Sequence, residues 1–119
     1  MEPTKYKVIN DYESPYPESI TFQTGERVKV GQEFTADPDW QDWVWCIGQH
    51  NNEAWVPKQY LMIQGQTGIF LRDYDARELS ARVGEVLVVF EIVNAFALVE
   101  NQHGENGWVP LRNMELMNK

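Results

Sequence analysis

Glu53-Ala54-Trp55-Val56-Pro57 reappears 53 residues later as Asn106-Gly107-Trp108-Val109-Pro110, and this recurrence decides how the chain is read. The same offset, with no gap, carries Trp43 onto Phe96, Trp45 onto Leu98, Cys46 onto Val99, Gln49 onto Gln102 and His50 onto His103. Upstream, Asp11-Tyr12 matches Asp73-Tyr74, and Gly25-Glu26 matches Gly84-Glu85. The spacing between these landmarks differs: Tyr12 to Gly25 is three residues longer than Tyr74 to Gly84, and Gly25 to Trp43 is six longer than Gly84 to Phe96. Loops absorb such differences while strands keep their register. The chain therefore divides into two repeats, 1–64 and 65–119.

Each repeat reads as short strands separated by turn chemistry, with no helical periodicity long enough to bury a face. The expectation is all-β, five strands per repeat. In the first these are Lys5 to Ile9, Arg27 to Val30, Trp43 to Gly48, Ala54 to Val56 and Leu61 to Ile63. In the second they are Gly68 to Leu71, Val86 to Phe90, Phe96 to Glu100, Trp108 to Val109 and Met114 to Leu116. Between the third and fourth strands, Gln49-His50-Asn51-Asn52 and Gln102-His103-Gly104-Glu105 supply Asn or Gly where a hairpin needs positive φ. Gln64-Gly65-Gln66-Thr67 reads as a linker too short for two bodies to tumble independently, so docked units are expected. Val86 to Phe90, five apolar residues without alternation, reads as their shared interface or as a strand inside one barrel.

Composition bounds the function. The 119 residues carry 10 basic and 18 acidic side chains, a net charge of -8, which repels phosphate backbones and makes nucleic acid an unfavourable partner. A basic partner is favoured electrostatically, although acidity also serves solubility alone. The longest apolar runs, such as Val86 to Phe90, fall far below the roughly 18 residues of a membrane span, so no membrane partner is expected. The start Met-Glu-Pro-Thr-Lys lacks the apolar core of a secretion signal, which gives a cytoplasmic expectation. One cysteine, Cys46, with His50 and His103, offers neither a disulfide framework nor a zinc-ligand spacing. No nucleophile–base pair or phosphate-cradling loop is present, so neither a catalytic residue, a metal nor a cofactor is expected.

In order along the chain, the motifs resemble the Src homology 3 (SH3) family, twice over. Val8-Ile9-Asn10-Asp11-Tyr12 and Phe70-Leu71-Arg72-Asp73-Tyr74 stand where the family has Ala-Leu-Tyr-Asp-Tyr. Ile20-Thr21-Phe22-Gln23-Thr24-Gly25-Glu26 and Leu79-Ser80-Ala81-Arg82-Val83-Gly84-Glu85 follow its "RT" loop. Trp43-Val44-Trp45-Cys46 looks like its paired-tryptophan strand, and Ala54-Trp55-Val56-Pro57-Lys58-Gln59-Tyr60 like its closing motif. The uninterrupted tandem also looks like small bacterial proteins made of two such domains.

The resemblance implies tandem five-stranded, partly open β-barrels that bind extended, proline-containing peptides across an aromatic groove without catalysis. Carried over residue by residue, the first groove comprises Tyr12, Trp43, Trp55, Pro57 and Tyr60. Acidic neighbours Glu13, Glu18, Asp39 and Asp42 orient a basic, extended protein or peptide ligand. Asn10 replaces a groove tyrosine there. The second groove is degenerate: Tyr74, Glu78, Phe96, Trp108 and Pro110 remain, while Arg72 and Asn113 replace tyrosines and Phe96 replaces the tryptophan. Trp43 reads as groove platform or as core, and Trp55 and Trp108 as groove edge or as barrel packing. Cys46 reads as a buried inert thiol, His50 and His103 as exposed turn residues, and Tyr16 between Pro15 and Pro17 as stiffening or extending the groove. Asp37 to Asp42, with Trp40, forms an acidic insertion without a counterpart in the second repeat. A second functional reading is structural assembly through apolar strand surfaces, with homo-oligomers and relic grooves. A third, cell-wall binding, is disfavoured by the missing secretion signal.

Overall fold

Alternating side chains and turn residues produce strands close to those expected, and a computed structural model describes them over residues 3–35, 37 and 41–117. The strands are β1 (Thr4–Val8), β2 (Thr21–Phe22), β3 (Arg27–Glu33), β4 (Trp43–Ile47), β5 (Glu53–Pro57), β6 (Leu61–Gln64), β7 (Thr67–Phe70), β8 (Tyr74–Asp75), β9 (Val86–Val93), β10 (Phe96–Glu100), β11 (Asn106–Pro110) and β12 (Met114–Leu116). Single 3-10 turns, Lys58–Tyr60 and Leu111–Asn113, follow Pro57 and Pro110. The described residues contain no α-helix, and none of their helices is long and apolar enough to cross a membrane. The fold is all-β and SH3-like, as expected.

Two compact units form. A central unit is Ser19–Ala76, and a terminal unit combines the chain up to Glu18 with the chain from Arg77 onward. The central sheet runs β5-β4-β3-β7-β6 and the terminal sheet β11-β10-β9-β1-β12. Under the 53-residue repeat these orders are equivalent, except that the opening strands are exchanged. β7, from the second repeat, pairs with β3 and β6 of the first. β1, from the first, pairs with β9 and β12 of the second. The segments 1–64 and 65–119 remain the sequence repeats, but each sheet draws on both.

The segments following the opening strands account for this exchange. To close within one repeat, the chain would have to reverse between Tyr12 and Phe22, and between Tyr74 and Ala81. Glu13-Ser14-Pro15-Tyr16-Pro17-Glu18 contains two prolines that hold the residues before them extended. Asp75-Ala76-Arg77-Glu78-Leu79-Ser80 contains no Gly, Asn or Pro to make a tight turn. Both segments run on into the other unit instead. Tyr12 then pairs with Ala81, and Phe22 with Tyr74.

Equivalent hydrogen bonds secure both junctions. The Asp11 carboxylate accepts the Val83 N–H at 2.8 Å, and the Asp73 carboxylate accepts the Thr24 N–H and hydroxyl, each at 2.9 Å. Gly84 and Gly25 donate their N–H groups to the Val8 and Phe70 carbonyls at 2.9 and 2.7 Å. Both glycines have φ near +90°, at 98° and 87°, a conformation open to Gly without a Cβ penalty. That is the physical reason for the glycine of the Gly-Glu signature, while the glutamate carboxylates accept the Gln23 and Arg82 N–H groups at 3.1 and 2.6 Å.

The terminal core is Val8, Leu79, Ala81, Leu87, Ala97, Val99, Val109 and Met114, with Tyr6, Val89 and Leu111 packed against it. In the central unit Phe22 stacks on Phe70 with ring centroids 4.6 Å apart, and Val28, Val44, Cys46, Val56 and Leu61 are buried.

Three sequence expectations change. Gln64 to Thr67 is no linker between bodies: Gln64 faces Thr67, so Gly65 and Gln66 form the tight turn of the β6–β7 hairpin inside the central unit. Val86 to Phe90 is the start of a longer interior strand whose residue Leu87 is buried, whereas Phe90 is 56% exposed. A register shift pairs Val99 with Val89 but Leu98 with Glu91, leaving Phe90 as the extra bulge residue. The two short strands β2 and β8 were not expected, since two-residue elements leave no periodic signal. Asn51 and Gly104 do supply positive φ in the two hairpins, at 63° and 79°. His50 and His103 are exposed there.

Candidate functional site

The rings expected to form the first groove are distributed over both units. Trp43 faces Pro57 across the β4–β5 ladder, and the 3-10 turn after Pro57 carries Tyr60, so these three share the central unit. Tyr12 belongs to the terminal unit, and the exchanged opening strand brings Tyr74 to the central rings in its place. Tyr74 meets Tyr60 edge-on with centroids 5.3 Å apart, and its hydroxyl donates to the Trp55 carbonyl at 2.8 Å. The Arg72 guanidinium arrives on the same segment and lies 4.4 Å from the Tyr60 ring centroid, a cation–π distance.

Trp43 and Tyr60 are 6% and 4% exposed, and Pro57 is buried with them. Trp43 and Tyr60 are therefore both covered, with little ring surface open to solvent. Trp55 is half-buried and packs edge-on against Trp45 at 5.2 Å and Phe34 at 5.1 Å. The Trp45 indole N–H donates to Glu53 at 3.0 Å. Asp42, with φ 68°, is exposed just before Trp43, and Lys58 lies 4.0 Å from its carboxylate while bonding Glu33 at 2.8 Å. Asp39 and Trp40 of the acidic insertion fall outside the described residues.

Tyr12 and Glu78 meet in the terminal unit. The Tyr12 hydroxyl donates to the Glu78 carboxylate at 2.6 Å, and Glu78 bridges Trp108 through its backbone. Phe96, Trp108 and Pro110 are buried on neighbouring strands. Phe96 faces Pro110 as Trp43 faces Pro57. Asn113, in the place of a groove tyrosine, donates its amide to the Asn10 and Asp11 carbonyls at 3.2 and 3.1 Å. Glu18 is exposed at the end of the first-repeat arm, and the exposed Glu13 carboxylate pairs with Arg82 at 3.0 Å.

Burial pushes the Glu78 carboxyl up to about 7, against a smaller lowering by the Tyr12 hydrogen bond, and burial together with Glu78 raises the Tyr12 hydroxyl. A carboxyl raised above its unfolded value binds its proton more tightly when folded. Its stabilisation is therefore present below about 4.5 and is lost as pH rises through about 7. We predict that the terminal unit is about 1–2 kcal/mol more stable at pH 4.5 than at pH 8 through this group, discounted for the solvent reaching a half-buried carboxyl. Glu78→Gln removes that component of the slope. Urea titrations of both proteins at the two pH values check it, and an equal slope in the variant refutes the assignment.

Sequence reading missed a polar concavity of about 770 Å³ in the central unit, lined among others by Thr21, Glu26, His50 and Asn52. The Asn52 amide joins its walls by donating to the Thr21 carbonyl at 3.2 Å and Glu26 at 3.0 Å. Only the repeated Gln-His hairpin hinted at it. Cys46 is buried, and desolvation pushes its thiol up to about 12, so it is a poor nucleophile.

Two sheets of one strand order, each carrying a Trp-Val-Pro strand that leads into a 3-10 turn, define the SH3 class of fold. The variant SH3 domain family matches residues 5–64, half of the chain, and the protein belongs to that family. No curated protein and no solved structure matches the chain. SH3 domains are non-catalytic protein-interaction modules.

Proposed function

We propose that the chain binds an extended, proline-containing segment of another protein at the central unit's rings, Trp43, Pro57 and Tyr60, with Tyr74 in the role expected of Tyr12. The observation carrying this reading is the Tyr60–Tyr74 ring contact beside the Trp43–Pro57 pair. It assembles the family's aromatic set from both repeats. Since Trp43 and Tyr60 are 6% and 4% exposed, a ligand must displace their cover, which lowers affinity by the fraction of time the rings are open. The net charge of -8 favours a basic ligand. Arg72 over Tyr60 excludes a cation from that ring, so Asp42 is the carboxylate that meets it.

The test is a nuclear magnetic resonance titration with basic, proline-rich peptides. The expected result is perturbation of the Trp43 indole and of amides near 57–60 and 72–74. The exposed substitution Asp42→Lys weakens binding about fivefold, the equivalent of about 1 kcal/mol. An absence of perturbation at these residues in the presence of about 1 mM peptide removes the reading.

The burial of the rings favours a second reading, in which they are structural. The chain then acts in assembly through exposed strand residues such as Met62, Ile92 and Leu116, which are 50%, 48% and 53% exposed.

A further inference from the structure

The terminal sheet order places β1 between β9 and β12, so this unit has no continuous sheet until residues from the start of the chain enter it. Thr4 to Lys7 lie against Val86 to Val89, and Tyr6 to Val8 lie against Met114 to Leu116. Val8 is fully buried among Leu79, Leu87, Val109 and Met114. The arm that follows stays with the same unit. Tyr12 and Ala81 exchange backbone hydrogen bonds at 2.8 and 2.9 Å, the Ser14 N–H donates to the Ser80 hydroxyl at 3.0 Å, and the Glu78 N–H donates to the Tyr16 carbonyl at 3.0 Å. The chain then leaves the unit between Glu18 and Ser19.

We propose that this arm, residues 4–18, exchanges between two copies of the chain. Each copy donates its arm to the terminal unit of the other, forming a two-fold dimer. The bonds named above are all to residues 78–116, and they are the same whichever copy supplies the arm. Only the course of the chain at residues 18 and 19 differs. The exchange completes the site around Glu78 with Tyr12 from the second copy. The balance between the two forms rests on the local concentration of a chain's own arm, on the order of millimolar for a short tether. Pro15 and Pro17 keep the arm extended and so resist its folding back. Dilute chains capture their own arm, whereas chains folding together near that concentration capture each other's. The proposal is independent of peptide binding.

The test uses the full-length chain carrying Lys5→Cys and Val88→Cys, a facing pair in the β1–β9 ladder, with Cys46→Val taking the residue of the equivalent position Val99. The protein is unfolded, refolded at about 1 µM or about 1 mM, oxidised, and analysed by sedimentation and by mapping of its disulfides. At the lower concentration the expected product is a monomer with an internal 5–88 bond. At the higher one, a dimer with 5–88 bonds between copies forms in at least about tenfold greater fraction. Monomer at both concentrations, or dimers joined 5–5 or 88–88, overturns the proposal.

Discussion

Val8→Asp is expected to unfold the terminal unit, with a loss of about 4 kcal/mol or more, although Val8 belongs to the repeat that builds the other sheet. Val8 is 0% exposed and is surrounded by apolar side chains from the second repeat, and no described cation lies in that cluster. A carboxylate placed there loses its water without gaining a partner, one of the few changes that reliably exceeds the usual range of single substitutions. Amide hydrogen exchange is the measurement that checks it. Protection should fall in β9 to β12, where β1 is a ladder neighbour or completes the core. Loss of protection in β3 to β5 instead would mean that β1 closes its own repeat.

Phe70→Ala is expected to act in the opposite direction across the sequence. Phe70 lies in the second repeat, yet its ring stacks on Phe22 at 4.6 Å and lies 6.0 Å from Tyr74, and it is 1% exposed. Removing it leaves a cavity inside the central unit and costs about 3–5 kcal/mol. Urea denaturation followed by exchange mapping should place the damage in β3 to β6, all of them first-repeat strands. If β9 to β12 lose protection instead, the assignment of Phe70 to the central core is wrong. The two substitutions together form a reciprocal test, in which each repeat is damaged by a change in the other.

Most strands were legible because alternation and turn residues act locally. Phe96–Glu100 and Met114–Leu116 stand as expected, and most other boundaries moved by one to three residues. The exchange was not legible, because the pairing of Lys5 with Val88 obeys the same local pattern as a pairing within either repeat. Register is specified by hydrophobic faces and turn geometry, and equivalent repeats present equivalent faces. The informative signal was negative: the residues between Tyr74 and Ala81 contain no Gly, Asn or Pro, and those after Tyr12 contain two prolines that hold their predecessors extended. For the same reason the family's groove residues were individually recognisable while their grouping was not. Trp43, Pro57 and Tyr60 come from one ladder and its following turn, a local matter. Whether Tyr12 or Tyr74 joins them depends on which opening strand enters the sheet. Burial of Trp43 was equally out of reach, since strand alternation does not say which face is covered.

Synthesis order gives the exchanged strand a further consequence. Everything in the central unit has been made once Ala76 has left the ribosome, so that unit can complete its sheet while translation continues. β1 is made before the central unit, yet its partners β9 and β12 follow that unit, since Lys5 faces Val88 and Tyr6 faces Leu116. Contacts of such long sequence separation form slowly. The nascent protein thus carries one finished unit and one unpaired strand ahead of it until β9 and β12 have been made, the interval in which chaperones or a neighbouring nascent chain meet it.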